Sequence, residues 1–79
     1  MTKPSLQQQI GRNLAQARKA RNITQKQLAD ELKKYQPDYS DYETGKIELN
    51  YDQIVFLCER LDMSPNELFD VESLRGKFN

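Results

Sequence analysis

The sequence predicts an all-α fold of five short helices. Apolar residues recur at helical spacing in five separate stretches, as in Ile10, Leu14 and Ala17 or Ile54, Leu57, Cys58 and Leu61. Helix-start signatures stand at the head of several of them: Thr24 with Gln27, Asn50 with Gln53, and Ser64-Pro65-Asn66-Glu67. Short breaks separate the stretches, and none is long enough to be an interdomain linker.

The first helix is expected from about Ser5 to Arg21, with Asn22 after it as a residue that enters the left-handed C-cap conformation cheaply. Thr24 opens the second helix, whose buried stripe is Leu28, Ala29 and Leu32. The third is expected to start at Gln36-Pro37, since proline is accommodated at a first helical position, and to stop at Gly45. Tyr39 and Tyr42, three apart, should point inward together. The fourth helix follows Asn50, and a short fifth runs through Leu68-Phe69. Residues 1–9 read as an N-terminal arm and the start of the first helix, 10–69 as the domain, and 70–79 as a tail suited to a dimer contact, an extra turn or a frayed end.

Seventy-nine residues make one domain with a modest core. Cys58 is the one cysteine and histidine is absent, which removes an internal disulfide, a zinc-ligand pattern and every catalytic arrangement that needs an imidazole. No metal or cofactor is expected, and the chain reads as a non-enzyme. No stretch approaches the ~20 apolar residues of a membrane span, and the start of the chain lacks a signal-peptide core. The expected location is therefore the cytoplasm, at the nucleoid if the ligand is DNA.

Net charge is zero, but its distribution is lopsided. Residues 1–34 carry eight basic and two acidic side chains, and residues 35–79 carry four basic and ten acidic. Such asymmetry points toward a polyanion, against the plainer reading of two solvated faces of opposite sign. Two short helices joined by a tight turn let the second protrude into a major groove, and Ala29 is small enough to sit where they touch.

The run Ile10-Gly11, Leu14, Arg18-Lys19, Thr24-Gln25, Leu28-Ala29, Leu32, Tyr39-Ser40, Tyr42-Glu43 and Gly45-Lys46 resembles the Cro/lambda-repressor-like (XRE-type) helix-turn-helix family. The likeness continues through Leu57, Leu61, Met63-Ser64 and Glu67-Leu68, and so covers residues 10–69. It implies a compact five-helix lambda-repressor-like DNA-binding domain, with the helix-turn-helix at about 24–44, double-stranded DNA as ligand and a two-fold homodimer on a palindromic operator. By position it implies phosphate contact from Gln25 and a groove-facing surface of Gln36, Pro37, Asp38, Ser40 and Asp41. Thr44 and Lys46 would meet the DNA backbone, and Arg18 with Glu43 would form a structural salt bridge rather than a ligand site.

Side-chain chemistry adds detail to that implied surface. Gln36 suits a bidentate contact with adenine, with helix capping as its alternative role, while Asp38 or Asp41 can accept from cytosine N4. Lys26, Lys33, Lys34 and Lys46 would supply salt-dependent attraction. Three departures stand out. Lys33 takes the place of the usual turn glycine, so a left-handed backbone there costs on the order of 1 kcal/mol unless the turn is reshaped. Tyr39 and Tyr42 replace aliphatic residues and bring hydroxyls that need partners. Asp38 and Asp41 would face phosphates, which leaves open a second reading: the same fold as a protein-interaction module, similar to multiprotein bridging factors or antitoxins, with a toxin or RNA polymerase as partner. Phe56, Met63, Pro65 and Phe69, with Val71, Leu74 and Phe78, are candidates for a dimer contact, or else close a small core. Cys58 is expected to be an inert core thiol.

Overall fold

A computed structural model describes residues 5–70 and Glu72. Five helices follow in order: α1 Leu6–Ala20, α2 Gln25–Glu31, α3 Gln36–Thr44, α4 Tyr51–Arg60 and α5 Pro65–Phe69. None of the described helices is long and apolar enough to cross a membrane.

Each start has a local cause. The Thr24 hydroxyl accepts from the Gln27 backbone N–H, and the Gln27 side chain accepts from Thr24 N–H at 2.7 Å. Asn50 and Gln53 repeat the exchange at α4. Ser5 and Gln8 do so at α1, a box hidden within the run of three glutamines. Each box satisfies two N–H groups that the first turn leaves without intrahelical partners. At α5, Ser64 accepts from Glu67 N–H and Pro65 follows it. Helix α3 differs: its N-cap is Tyr35, with no side-chain bond to the turn. The helix therefore opens at Gln36, one residue before the proline, and Gln36 does not cap it.

The ends of α1, α2 and α4 share one device. Asn22, Lys33 and Asp62 adopt positive φ of 57°, 57° and 49°. In each case the N–H of that residue and the one after it both turn back onto the helix. The second of the two bonds runs from Ile23 N–H to Arg18 O at 3.2 Å, from Lys34 N–H to Ala29 O at 2.8 Å, and from Met63 N–H to Cys58 O at 3.0 Å. These paired bonds satisfy carbonyls the helix end would otherwise orphan. Asn and Asp tolerate the left-handed region, but Lys33 has no such excuse. The turn is thus not reshaped: lysine accepts the glycine conformation. Gly45, at φ 81°, ends α3 in the same region.

The core is assembled from all five helices: Leu14, Leu28, Ala29, Tyr39, Tyr42, Leu57, Cys58, Leu61, Met63 and Leu68. Tyr39 and Tyr42 do point inward together, edge to face with ring centroids 6.1 Å apart. The Tyr42 hydroxyl accepts from Gln53 Nε2 at 3.0 Å. Helices α1 and α3 approach closely at Gly11, where a Cβ would meet the carbonyl oxygens of Tyr42 and Glu43. Burial pushes the Cys58 thiol pKa up, as befits a packed rather than reactive sulfur.

Candidate nucleic-acid interface

Helix α3 turns three side chains inward, and one of them is charged. Glu43 is buried, and everything around it is arranged to keep it ionised. Arg18, from α1, donates from Nε to Oε2 at 2.7 Å and from Nη2 to Oε1 at 3.1 Å. Its Nη1 donates to the Ile23 carbonyl at 2.8 Å. The Tyr39 hydroxyl donates to Glu43 Oε2 at 2.6 Å, and Gln25 Nε2 donates to Oε1 at 2.9 Å. Burial alone would raise the Glu43 pKa. The hydrogen bonds from Arg18, Tyr39 and Gln25, with the Arg18 charge, outweigh it and hold the carboxyl below its usual range. Burial and the bond to Glu43 push the Tyr39 phenol far up, so it stays a donor.

This network joins α1, the α1–α2 connection, α2 and α3 through one carboxylate. It fixes how α3 sits on the two helices before it. Among the described residues no buried side-chain polar atom lacks a hydrogen-bond partner, so the network is complete. The salt bridge expected between Arg18 and Glu43 is therefore present and buried.

The opposite side of α3 is open. Gln36, Pro37, Asp38 and Thr44 are exposed, Ser40 and Asp41 half-buried, and Lys46 lies exposed just past the Gly45 stop. Asp41 has a second task at this end: its carbonyl accepts from the N–H groups of Gly45, Lys46 and Ile47. The connection carrying Lys46 is thereby pinned to the C-terminal turn of α3.

Two of the expected phosphate ligands are partly engaged within the chain. Gln25 sits at the first position of α2, half-buried, with one amide N–H on Glu43; an amide has two, which leaves the second free for an outside acceptor. Lys26 pairs with Asp30 across one turn at 2.9 Å. Both side chains of that pair are well exposed, so it is weak and easily exchanged for a phosphate. Lys33 and Lys34 are exposed in the turn that precedes α3.

Of the residues suggested for a dimer contact, two take the alternative of closing the core. Met63 is 6% exposed, and the core claims it, because the chain turns inward after the left-handed Asp62. Phe56 packs half-buried against the same core. Pro65 is exposed and Phe69 half-buried. Val71, Leu74 and Phe78 lie outside the described residues. What sequence reasoning missed is a groove of about 490 Å³ beside Phe69, lined by Leu6, Ile10, Ile47, Tyr51 and Ile54. Leu6, Ile47 and Tyr51 on its walls are exposed apolar side chains. The signal was present in Ile47, Leu49 and Tyr51, apolar residues that alternate with Glu48 and Asn50 along the connection into α4.

The two short helices, their tight turn and the outward polar face define a helix-turn-helix unit, and residues 11–74 match the helix-turn-helix domain family. The chain belongs to that family, of the XRE type. It is similar to YqaE of Bacillus subtilis (strain 168), an uncharacterized HTH-type transcriptional regulator, at 36% identity over 61 residues, which is 77% of this chain. The likeness spans 53% of that relative's length. No solved structure matches the chain.

Proposed function

We propose that this domain binds double-stranded DNA sequence-specifically as a transcriptional regulator of the repressor type, a homodimer on a palindromic operator with α3 in the major groove. The observation that carries the reading is the outer face of α3, kept polar and open while its inner face is locked by the Glu43 network. A rigidly held helix presents side chains to base edges without an ordering cost at each contact. Gln36 would read adenine, and Asp38 or Asp41 would accept from cytosine N4. Gln25, Lys26, Thr44 and Lys46 would hold phosphates, joined by Lys33 and Lys34 from the turn. The resemblance to a transcriptional regulator supports the same reading.

A dimer fits the apolar groove at Leu6, Ile47, Tyr51 and Phe69, which a two-fold copy would cover. Half-sites would then lie about one helical turn apart, ~10 base pairs.

Binding to duplex DNA measured against salt tests the proposal. Four exposed lysines per protomer, Lys26, Lys33, Lys34 and Lys46, imply a log–log slope of about −3.6 per protomer. One observation favours a second reading. Asp38 and Asp41 place two carboxylates on the presumed reading face, which suits a protein partner such as a toxin or RNA polymerase. Salt-insensitive or undetectable DNA binding, together with capture of a partner through α3, would replace the first reading with the second.

A further inference from the structure

We infer that Tyr35 is a further specificity-determining residue, reading a thymine methyl group at the edge of the site addressed by Gln36. The inference rests on the proposed DNA reading and adds to it a base contact that none of the residues assigned above supplies.

Tyr35 is the N-cap of α3 and is 73% exposed, an aromatic ring standing in solvent at the tip of the helix-turn-helix. An N-cap ordinarily contributes a short polar side chain that closes the first turn, whereas Tyr35 makes no side-chain bond to it. Its ring is therefore not held by the fold. Its backbone is: the preceding Lys34 N–H donates to Ala29 O at 2.8 Å, and the Tyr35 carbonyl accepts from Tyr39 N–H at 3.0 Å. A ring on so fixed a backbone has few side-chain torsions left to order, which is what makes tyrosine an economical contact residue.

Position supplies the rest. In a recognition helix the N-terminal residues reach the base edges, and Tyr35 immediately precedes Gln36 there. Phosphate attraction around it comes from Lys33 and Lys34, so its hydroxyl is not needed for that task. The apolar feature a major groove offers is the thymine C5-methyl, which aromatic and small apolar side chains contact. The ring face is suited to that methyl, with the hydroxyl left toward water.

The test is selection of bound sequences from a random duplex pool by the full chain and by its Tyr35→Ala and Tyr35→Phe variants. The wild type should enrich a motif with a thymine next to the position lost in Gln36→Ala. Tyr35→Phe should keep that thymine, and Tyr35→Ala should lose it alone. Replacing it by deoxyuridine should weaken wild-type binding about fourfold, the worth of one buried methyl, and leave Tyr35→Ala unchanged. The position is exposed and caps nothing, so thermal melts of both variants should match the wild type. If Tyr35→Ala selects the wild-type motif, the inference is overturned and the DNA reading stands. It is overturned equally if Tyr35→Phe weakens binding to all sequences as much as Tyr35→Ala, which would make the contact a hydroxyl on phosphate. If the wild type enriches no motif, the DNA reading itself falls, and this inference with it.

Discussion

Replacing Arg18 by methionine strikes the fold at its most connected point. Methionine keeps much of the aliphatic bulk and removes the guanidinium, which gives Glu43 two of its four hydrogen bonds and its only cation within this cluster. With side chains 9% and 5% exposed, the pair is dry, so the carboxylate left behind cannot recover by hydration. Breaking one partner of such a pair costs about 3–5 kcal/mol. A domain of this size holds roughly 4–12 kcal/mol in total, so the variant should lose at least about a quarter of its stability and, at the low end of that range, all of it. The cost should also depend on pH. In the wild type the Glu43 pKa lies below its usual value, so its contribution is full above about pH 4.5 and is lost as pH falls through the lowered value. In the variant, burial is no longer offset by the arginine, so Glu43 takes up a proton at higher pH than in the wild type. The gap between the two proteins in urea melts should therefore be widest at pH 7 and shrink on going to pH 4. Adding Glu43→Gln to the variant should recover part of the loss at pH 7 and flatten the dependence. A pH-independent gap, or one under 1 kcal/mol, would refute the idea that this carboxylate is held ionised by the arginine.

The remaining predictions concern the backbone and the outer face. Lys33→Gly should stabilise the domain: relief of about 1–2 kcal/mol in the left-handed region exceeds the ~0.5–1 kcal/mol of extra chain entropy, raising Tm by about 3–6 °C in a circular-dichroism melt. Gly11→Ala should do the reverse in chemical denaturation. The helix-propensity gain of about 1 kcal/mol is smaller than the cost of driving a methyl into the α3 backbone, and a net stabilisation would mean that α1 and α3 are farther apart than described. On DNA, Gln36→Ala should relax preference at one base position while Lys46→Ala weakens specific and random duplexes alike; equal losses on both DNAs for both variants would contradict the division of roles.

Much of this fold is written locally. The caps at Thr24, Asn50 and Ser64 and the stops at Asn22 and Gly45 lie within a few residues of what they act on, so spacing and side-chain type suffice to place the helices. For Lys33 the sequence left two outcomes open, a left-handed backbone or a reshaped turn, because the residue's own propensity opposes the conformation; the structure has the first, at φ 57°. What was not legible depends on separations that a helical period does not encode. The Gln25–Glu43 bond joins residues 18 apart, and it converts an expected ligand into a partly structural side chain. The apolar groove draws on the start of α1, the connection after α3, the first half of α4 and Phe69, so no single stretch announces it. Met63 shows the converse error: an apolar residue in a loop reads as available, whereas the chain reversal at Asp62 tucks it under the core.

Everything functional turns on α3 meeting base pairs with its outer face. Backbone amide shifts of the full chain, followed while a selected duplex is titrated in, address that directly. Gln36, Asp38, Ser40, Asp41 and Thr44 should move most, along with Gln25 and Lys46, while α4 residues facing away stay put. Saturable DNA binding that leaves the α3 amides in place would contradict that placement.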